Sequence, residues 1–255
     1  MSNNQIYLNS SEHLFNLSFS ETLMLRNFAK SNGLNFSSMI GGPESIRDIQ
    51  EARNLFANAL EFDSVESPFA ISKICSAVKK TFKNEAEIEK IKIIINISTP
   101  DGINLVENIN ALEIPKFLKK SNFIFNFDRR KITKNLMNIV NDDFEYSEYE
   151  NQLNPMIFRN INNLMEKKFL TSVSGGITKN SLLNIYKQKV PNYIKTGLFT
   201  ILSQTKSLKE LQNCIIQYQR LEERLLNLMG ESIYYRHIYL NRRQVHLKGY
   251  LEEEG

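Results

Sequence analysis

Apolar and polar positions alternate along the chain in a repeating order of strand, turn and helix. Residues 92–97 (KIIINI) form a nearly unbroken β-branched run, which is typical of a strand buried in a parallel sheet. Residues 35–40 form another apolar run, and Ile46, Ile49 and Ala52 follow it at helical spacing. Repetition of this unit predicts an α/β fold in which helices cover a parallel sheet.

Seven strands and the helices between them are predicted from this pattern. The strands are expected at residues 5–8, 35–40, 59–65, 92–97, 123–127, 169–173 and 193–202. The helices are expected at residues 19–32, 43–56, 69–82, 103–112, 131–168 with a break, 179–186 and 207–229. The length suits one (β/α)8 TIM barrel, which is incomplete or irregular because one strand is missing from the count.

The chain is expected to divide into a barrel at residues 1–206 and a C-terminal extension at residues 207–255. Apolar residues near heptad spacing, interrupted by Glu222, predict that the first helix of the extension packs on the barrel or at a subunit interface. The tail after it interleaves arginines with tyrosines, which suits either contact with RNA or a solvated terminal helix. We favour the solvated helix because no other basic stretch accompanies it.

Composition and charge exclude few classes of protein. The chain has 255 residues, 42% of them hydrophobic and 24% charged, which is ordinary for a globular protein. No apolar run approaches the ~20 residues that span a bilayer, and the N-terminus is polar, so we expect a cytoplasmic protein without membrane contact. Cys75 and Cys214 have no metal-type spacing and are expected to be reduced. The net charge of +4 is too small to indicate nucleic acid.

A glycine turn follows the predicted strand at residues 35–40. Gly41 and Gly42 allow the backbone to turn tightly, with positive φ available, and Pro43 suits the first position of a helix. Backbone N–H groups at such a junction suit a carboxylate or a phosphate. The alternative is a plain strand-to-helix turn without a ligand.

Four motifs in order resemble one enzyme family. They are IGGPESIRDI at residues 40–49, ESPFA at 66–70, IIINIST at 93–99, and SGGIT at 174–178 followed by Ser181. Together they resemble the HpcH/HpaI aldolase and citrate lyase family, and more closely its small biosynthetic-cluster branch. The resemblance covers most of the chain, from about residue 15 to the C-terminal helix.

The resemblance implies a (β/α)8 barrel that binds pyruvate-like keto acids at the C-terminal ends of its strands. It further implies a Mg²⁺ or Mn²⁺ ion and carbon–carbon bond formation or cleavage through a metal-held enolate. The candidate site residues are Gly41, Gly42, Glu66, Ser98, Gly175 and Gly176 for substrate or anion binding, Asp128 as the nearest candidate for the metal ligand after the fifth strand, and Arg129 and Arg130 as catalytic or anion-contacting cations, with solvated arginines as the alternative. A homo-oligomer or a partner protein is also expected.

The sequence departs from the family pattern at the metal site. Ser98 stands where the family has a glutamate ligand, and Met39 stands where it has a lysine before the glycine turn. A neutral hydroxyl is a poor substitute for a carboxylate around a hard cation, so we expect weak or absent metal binding. The alternative is a rearranged acidic cluster of strand-end residues: Asp63, Glu66, Asp101 and Asp128.

Three functions therefore compete at the level of sequence. The first is an aldolase-like lyase acting on a keto acid, whose activity is in doubt because of Ser98. The second is a catalytically inactive barrel that serves as a binding or partner protein in a biosynthetic pathway. Nucleic-acid binding through the tail is the third and least supported.

Overall fold

The computed structural model describes residues 6–9, 19–139, 149–188, 191–204 and 206–228. The predictions for the basic, aromatic tail lie outside the described residues. No helix among the described residues is both long enough and apolar enough to cross a membrane.

Eight strands close into a barrel in their sequence order. They are β1 (Tyr7–Asn9), β2 (Asn35–Ile40), β3 (Ala59–Phe62), β4 (Lys92–Ile97), β5 (Phe123–Asp128), β6 (Leu170–Ser174), β7 (Tyr193–Thr196) and β8 (Phe199–Leu202). Strands β1 to β7 pair in parallel, whereas β8 is antiparallel to both β7 and β1. The predicted α/β barrel is confirmed; it is closed, and it is irregular in the direction of its last strand.

The missing eighth strand lies inside the segment that was predicted as one strand at residues 193–202. Thr196 pairs with Phe199, so a two-residue turn at Gly197 and Leu198 reverses the chain. Gly197 has a φ of 53°, a conformation that glycine adopts without steric cost and that tight hairpin turns require. A turn this short cannot carry the crossover that a parallel strand needs, which explains why β8 runs the opposite way.

Helices cover the outside of the barrel. Among the described residues they are α1 (Phe19–Ser31), α2 (Ile46–Asn54), α3 (Pro68–Thr81), α4 (Glu85–Ile88), α5 (Pro100–Glu107), α6 (Arg129–Leu136), α7 (Glu150–Glu166), α8 (Lys179–Lys187) and α9 (Leu208–Leu228). The prediction that α2 starts at Pro43 is wrong, because the turn continues to Ser45 and the helix begins at Ile46. Helix α3 is capped by Ser67, whose Oγ accepts the Ala70 N–H at 3.2 Å.

The C-terminal helix α9 packs against the barrel. Its residues Leu211, Ile215 and Leu225 are buried in the main core, and the ring of Tyr218 lies 5.1 Å from that of Phe199 on β8. Glu222, which interrupts the heptad pattern, is buried and accepts the backbone N–H of Leu198 at 2.8 Å. The helix therefore fastens the β7–β8 turn as well as covering the strands.

The apolar core has two parts, separated by the barrel wall. The large outer core fills the space between strands and helices, and its strand residues include Leu8, Phe36, Leu60, Ile95 and Phe125. A small inner core inside the barrel consists of Tyr7, Ala59, Ile94, Ile124 and Tyr193, with Leu170 and Leu202 packed against it. The two sets alternate along the strands, as side chains on opposite faces of a sheet must.

Candidate functional site

Each of the eight strands contributes one inward-facing polar residue to a band inside the barrel. These eight residues, called the polar ring below, are Asn9, Ser37, Glu61, Asn96, Asn126, Ser172, Lys195 and Thr200. On the seven parallel strands each lies two residues after an inner position such as Tyr7 or Ile94, and on the reversed β8 it lies two residues before Leu202. The ring therefore lies above the inner core, towards the C-terminal ends of the parallel strands.

A polar layer at this depth is unusual for a barrel. The interior of a (β/α)8 barrel is mostly filled by branched apolar side chains. Seven residues of the polar ring are at most 8% exposed, and the side chain of Lys195 is 14% exposed. Burial of so many polar groups costs free energy unless they are hydrogen-bonded, so the ring is a strong candidate for a functional site.

Glu61 is the centre of a hydrogen-bonded network in the ring. The Asn96 side chain donates to Glu61 Oε1 at 2.8 Å, and the Lys195 ammonium forms an ion pair with the same oxygen. Asn126 Nδ2 donates to Asn96 Oδ1 at 2.9 Å and to Ser174 Oγ at 3.1 Å. The network thus connects β3 with β4, β5, β6 and β7.

Several polar atoms of the ring have no hydrogen-bond partner within the described part of the chain. They are Asn9 Oδ1, Ser37 Oγ, Glu61 Oε2, Asn126 Oδ1 and Ser172 Oγ. Buried polar atoms of folded proteins are usually paired with protein or with water. Five such atoms in one band, around a charged pair, indicate a site that can bind a polar ligand.

Two tyrosines form part of the floor of this site. The rings of Tyr7 and Tyr193 lie 6.2 Å apart in an edge-to-face arrangement. Burial raises the pKa of both hydroxyls, and for Tyr7 the neighbouring Tyr193 adds to the rise. Both therefore stay neutral at physiological pH and close the lower end of the barrel with an uncharged layer.

The structure brings three of the predicted site residues together at the ends of β5 and β6. Asp128 Oδ1 caps α6 by accepting the Lys131 N–H at 3.1 Å. A Cβ atom on Gly175 would lie 2.6 Å from Asp128 Oδ1 and 2.7 Å from the backbone N of Arg130. Gly175 also has a φ of 76°, so glycine is required both for space and for conformation.

Arg129 is fully buried and holds the second glycine turn in place. Its guanidinium donates to the carbonyl of Gly175 at 3.0 and 3.1 Å and to the carbonyl of Gly176 at 2.8 Å. It also forms an ion pair with Glu150 at 3.0 Å. These contacts show a positioning role for Arg129, and the predicted catalytic role of Arg129 and Arg130 stays a prediction.

The first glycine turn already binds a carboxylate of the protein itself. The Gly41 N–H donates to Asp48 Oδ2 at 2.9 Å, and a Cβ on Gly41 would lie 3.0 Å from the same oxygen. Neither Gly41 nor Gly42 uses the positive φ that is available to glycine. The turn fits the anion-binding chemistry predicted for it, with Asp48 supplying the anion.

Glu66 and Ser98 lie at the ends of β3 and β4. Glu66 Oε1 accepts the hydroxyl of Thr99 at 2.7 Å, which joins the loops that follow the two strands. Ser98 is buried, and its backbone carbonyl accepts the Asn135 side chain at 2.7 Å. Both residues are at the expected end of the barrel, and ligand contact by either stays a prediction.

The acidic residues of this region do not fit a hard divalent cation. No group of three or more histidine, cysteine, aspartate or glutamate side chains that could hold a metal occurs among the described residues, so the rearranged acidic cluster does not form there. Asp63 is paired with Lys131 at 3.1 Å, and Glu61 is paired with Lys195. Both carboxylates are thus already paired with a lysine ammonium group and not with a metal ligand shell.

Sequence reasoning missed Glu61, Asn96 and Lys195 as site residues. The signal was present in β3 to β5, because single polar residues interrupt the apolar strands ALEF, KIIINI and FIFNFD. Aligning these interruptions across neighbouring strands would have predicted a polar level inside the barrel. Lys195 could not be found in this way, because its strand was not separated from β8.

Comparisons with known proteins find similarity in structure only. No protein-family model matches the chain, and no curated protein sequence matches it. The citrate synthase SbnG is similar over 87% of this chain and 96% of its own, with a TM-score of 0.55 and 11% identity. A citrate lyase from Burkholderia xenovorans LB400 matches 64% of this chain and 53% of its own, with a TM-score of 0.50 and 6% identity.

A HpcH/HpaI aldolase/citrate lyase family protein from Burkholderia cenocepacia J2315 covers 86% of this chain and 95% of its own, with a TM-score of 0.48 and 11% identity. At such low identities the likeness concerns the fold. The chain therefore shares its barrel fold with the citrate synthase SbnG and, over part of its length, with the citrate lyase from Burkholderia xenovorans LB400.

Proposed function

We propose that the protein binds a small keto acid or related carboxylate above the polar ring and makes or breaks a carbon–carbon bond beside its carbonyl group. The observation that carries this proposal is the polar ring itself, with its buried Glu61–Lys195 pair and its unpartnered oxygens. In barrels of this type, ligands bind at the C-terminal ends of the strands, which is the side on which the ring lies.

The chemistry requires positive charge where an enolate-like intermediate develops. The Lys195 ammonium lies in a buried environment, where a charge interacts more strongly with a reacting group than it does in water. The amides of Asn96 and Asn126 are fixed by the network around Glu61, so they can orient a polar ligand without reorganising. These residues therefore supply binding and charge stabilisation from the protein itself.

We further propose that this chemistry does not depend on tight binding of a divalent metal. Ser98 offers a neutral hydroxyl where the family resemblance implies a carboxylate, and Asp128 is engaged as a helix cap. With only Asp128 remaining from the family's ligand pair, Mg²⁺ or Mn²⁺ would lack the anionic shell that it needs.

The test is calorimetry with pyruvate or oxaloacetate, with and without Mg²⁺ or Mn²⁺. We expect keto-acid binding that is independent of metal, weak or absent metal binding, and improved metal binding in Ser98→Glu. Carbon–carbon cleavage is followed by the products formed from oxaloacetate and from larger hydroxy-keto acids. Tight metal binding by the unmodified protein would overturn the proposed independence from metal.

A catalytically inactive barrel that binds a ligand or a partner protein is the second candidate. The replacement at Ser98 favours it, because the metal-held enolate of the family would lose one of its anionic ligands. Keto-acid binding without turnover of any of these substrates supports this second function. Sedimentation measurements test whether the protein is the homo-oligomer that the resemblance implies.

A further inference from the structure

Lys195 is the only cation of the polar ring, and its position suits chemistry on a carbonyl group. It projects from β7 onto Glu61 of β3, on the other side of the barrel. Its side chain is 14% exposed, and its amine contacts the Glu61 carboxylate, whose Oε2 has no hydrogen-bond partner among the described residues. Buried lysines of this kind are the ones that proteins use as amine nucleophiles.

Glu61 is arranged to take a proton from this amine. Oε1 of Glu61 already accepts from Asn96 and from Lys195, whereas Oε2 has no partner among the described residues. The side chain is 1% exposed, so its charge is poorly stabilised by water. The carboxylate is in direct contact with the ammonium group, which is the position that a general base must occupy.

We propose that Lys195 forms a covalent imine with the carbonyl carbon of a keto acid, with Glu61 as the proton acceptor and donor. This inference rests on the proposed function, which supplies the keto acid. The Lys195 ammonium gives one proton to Glu61, and the neutral amine attacks the carbonyl carbon to form a carbinolamine. A second N–H proton and the proton held by Glu61 leave with the carbinolamine oxygen as water, and a protonated imine remains.

The protonated imine provides the electron sink that a bound metal provides in a metal-held enolate. The electron pair of the breaking carbon–carbon bond forms a carbon–carbon double bond, and the π pair of the C=N⁺ bond moves onto nitrogen to give a neutral enamine. Glu61, which is a carboxylate again after the loss of water, takes the hydroxyl proton of the departing carbonyl fragment and returns it to the enamine carbon, so that the imine is restored. No oxidant, reductant or metal is required, and hydrolysis of the imine regenerates the amine. In this proposal the imine on Lys195 takes the role of the metal ion, which explains why Ser98 can stand in place of a metal ligand.

Reductive trapping of the unmodified full-length protein tests this proposal directly. The protein is incubated with pyruvate and sodium borohydride, and the adduct is located by peptide mass spectrometry. We expect a stable secondary amine on Lys195. Lys131 is the matched control, because it is also a lysine of this end of the barrel paired with an acid, Asp63, and it is more exposed at 32%.

Two variants separate the covalent role from simple charge pairing. Lys195→Arg keeps the positive charge but cannot form an imine, so we expect the adduct to be lost. Glu61→Gln removes the proton acceptor, so we expect adduct formation on Lys195 to slow by about 100-fold. Lys131→Arg is expected to change neither result. The mapping on the unmodified protein does not depend on whether any variant folds.

The outcomes distinguish this inference from the proposed function. Calorimetric binding of pyruvate together with an adduct on Lys195 supports both. Binding with no adduct, or with adducts spread equally over Lys131 and other lysines, overturns the imine and leaves keto-acid binding in place. Absence of both binding and adduct overturns the proposed function and the imine together.

Discussion

The two faces of the barrel wall differ in composition although they belong to the same strands. The outward face packs against the helices through fully buried apolar side chains such as Phe62, Phe125 and Ile95. The inward face has a small apolar floor and, above it, the polar ring with the Glu61–Lys195 pair. The comparison teaches that alternate residues of one strand can hold the fold together and form its site.

The energetics of the two faces are opposite in sign. Burial of apolar area on the outward face is the main favourable contribution to folding, at roughly 25 cal/mol per Å². The inward face removes amides, hydroxyls and a charged pair from water, and several of these atoms gain no partner among the described residues in return. We therefore expect substitutions on the outward face to change stability, and substitutions on the inward face to change binding, with a loss of stability as well where a buried charge is left unpaired.

The largest expected effect is on the outward face. Phe125 is fully buried, and its ring lies 5.3 Å from that of Phe169. Phe125→Ala is expected to lower the free energy of unfolding by about 3–5 kcal/mol, because it removes packing and leaves a cavity. Denaturant unfolding measures the loss. Phe69→Ala, at a residue that is 70% exposed, is the control and should change stability by no more than about 0.5 kcal/mol.

The Glu61–Lys195 pair tests the inward face. Lys195→Met leaves a buried carboxylate without its counter-charge, so we expect a loss of about 3 kcal/mol of stability. Adding Glu61→Leu to this variant should recover most of the loss, since an apolar pair is tolerated where an unpaired charge is not. Urea unfolding follows stability, and calorimetry follows keto-acid binding.

If the double variant regains stability and still binds keto acid as tightly as the unmodified protein, the proposed division between the two faces is wrong. The expected result is a folded barrel that no longer binds the ligand.

The two glycine turns differ in the space around the glycine and in its backbone conformation, and substitution to alanine tests this difference. Gly175→Ala places a methyl group 2.6 Å from Asp128 Oδ1 at a φ of 76°, so a loss of about 1–3 kcal/mol is expected from strain. At Gly42 the nearest atom to an added Cβ is Ser45 Oγ, at an ordinary 3.6 Å. Gly42→Ala should therefore leave the thermal midpoint nearly unchanged, and equal effects at the two positions would contradict this account.

The smallest effect concerns pH and Cys75, a residue of α3 that lies in the outer core. Burial raises the pKa of the Cys75 thiol from 9.0 to about 11. Between these values the unfolded chain loses the proton and the folded chain keeps it, so stability is complete below pH 9.0 and declines as the pH rises towards about 11. One pKa unit corresponds to about 1.4 kcal/mol, so we expect a decline of about 1.4 kcal/mol by about pH 10.

Unfolding curves measured across this pH range test the effect of Cys75. Cys75→Ala removes the titrating group, so its stability should fall less steeply over the same range. Identical slopes for the two proteins would show that the thiol does not contribute.

Local sequence patterns predicted most of the barrel but few of the residues of the candidate site. The β-branched run of β4 occupies residues 92–97 as predicted, because a buried parallel strand needs apolar side chains on both faces. The turn at Gly175 and Gly176 was also identified in advance, and it does use positive φ. The strand β8 was missed because the turn at Gly197 lies within an otherwise continuous strand pattern.

The amino-acid sequence by itself determined the alternation of strands and helices, the α/β class and the glycine turns at the strand ends, because these depend on neighbours a few residues apart. Only the tertiary structure decided the direction of β8, the structural duty of Arg129 and the polar ring. Barrel closure places Glu61 beside Lys195, 134 residues later in the chain, and no local pattern encodes that distance. Most of the secondary structure therefore follows from local sequence, whereas the candidate site depends on how the strands align in the closed barrel.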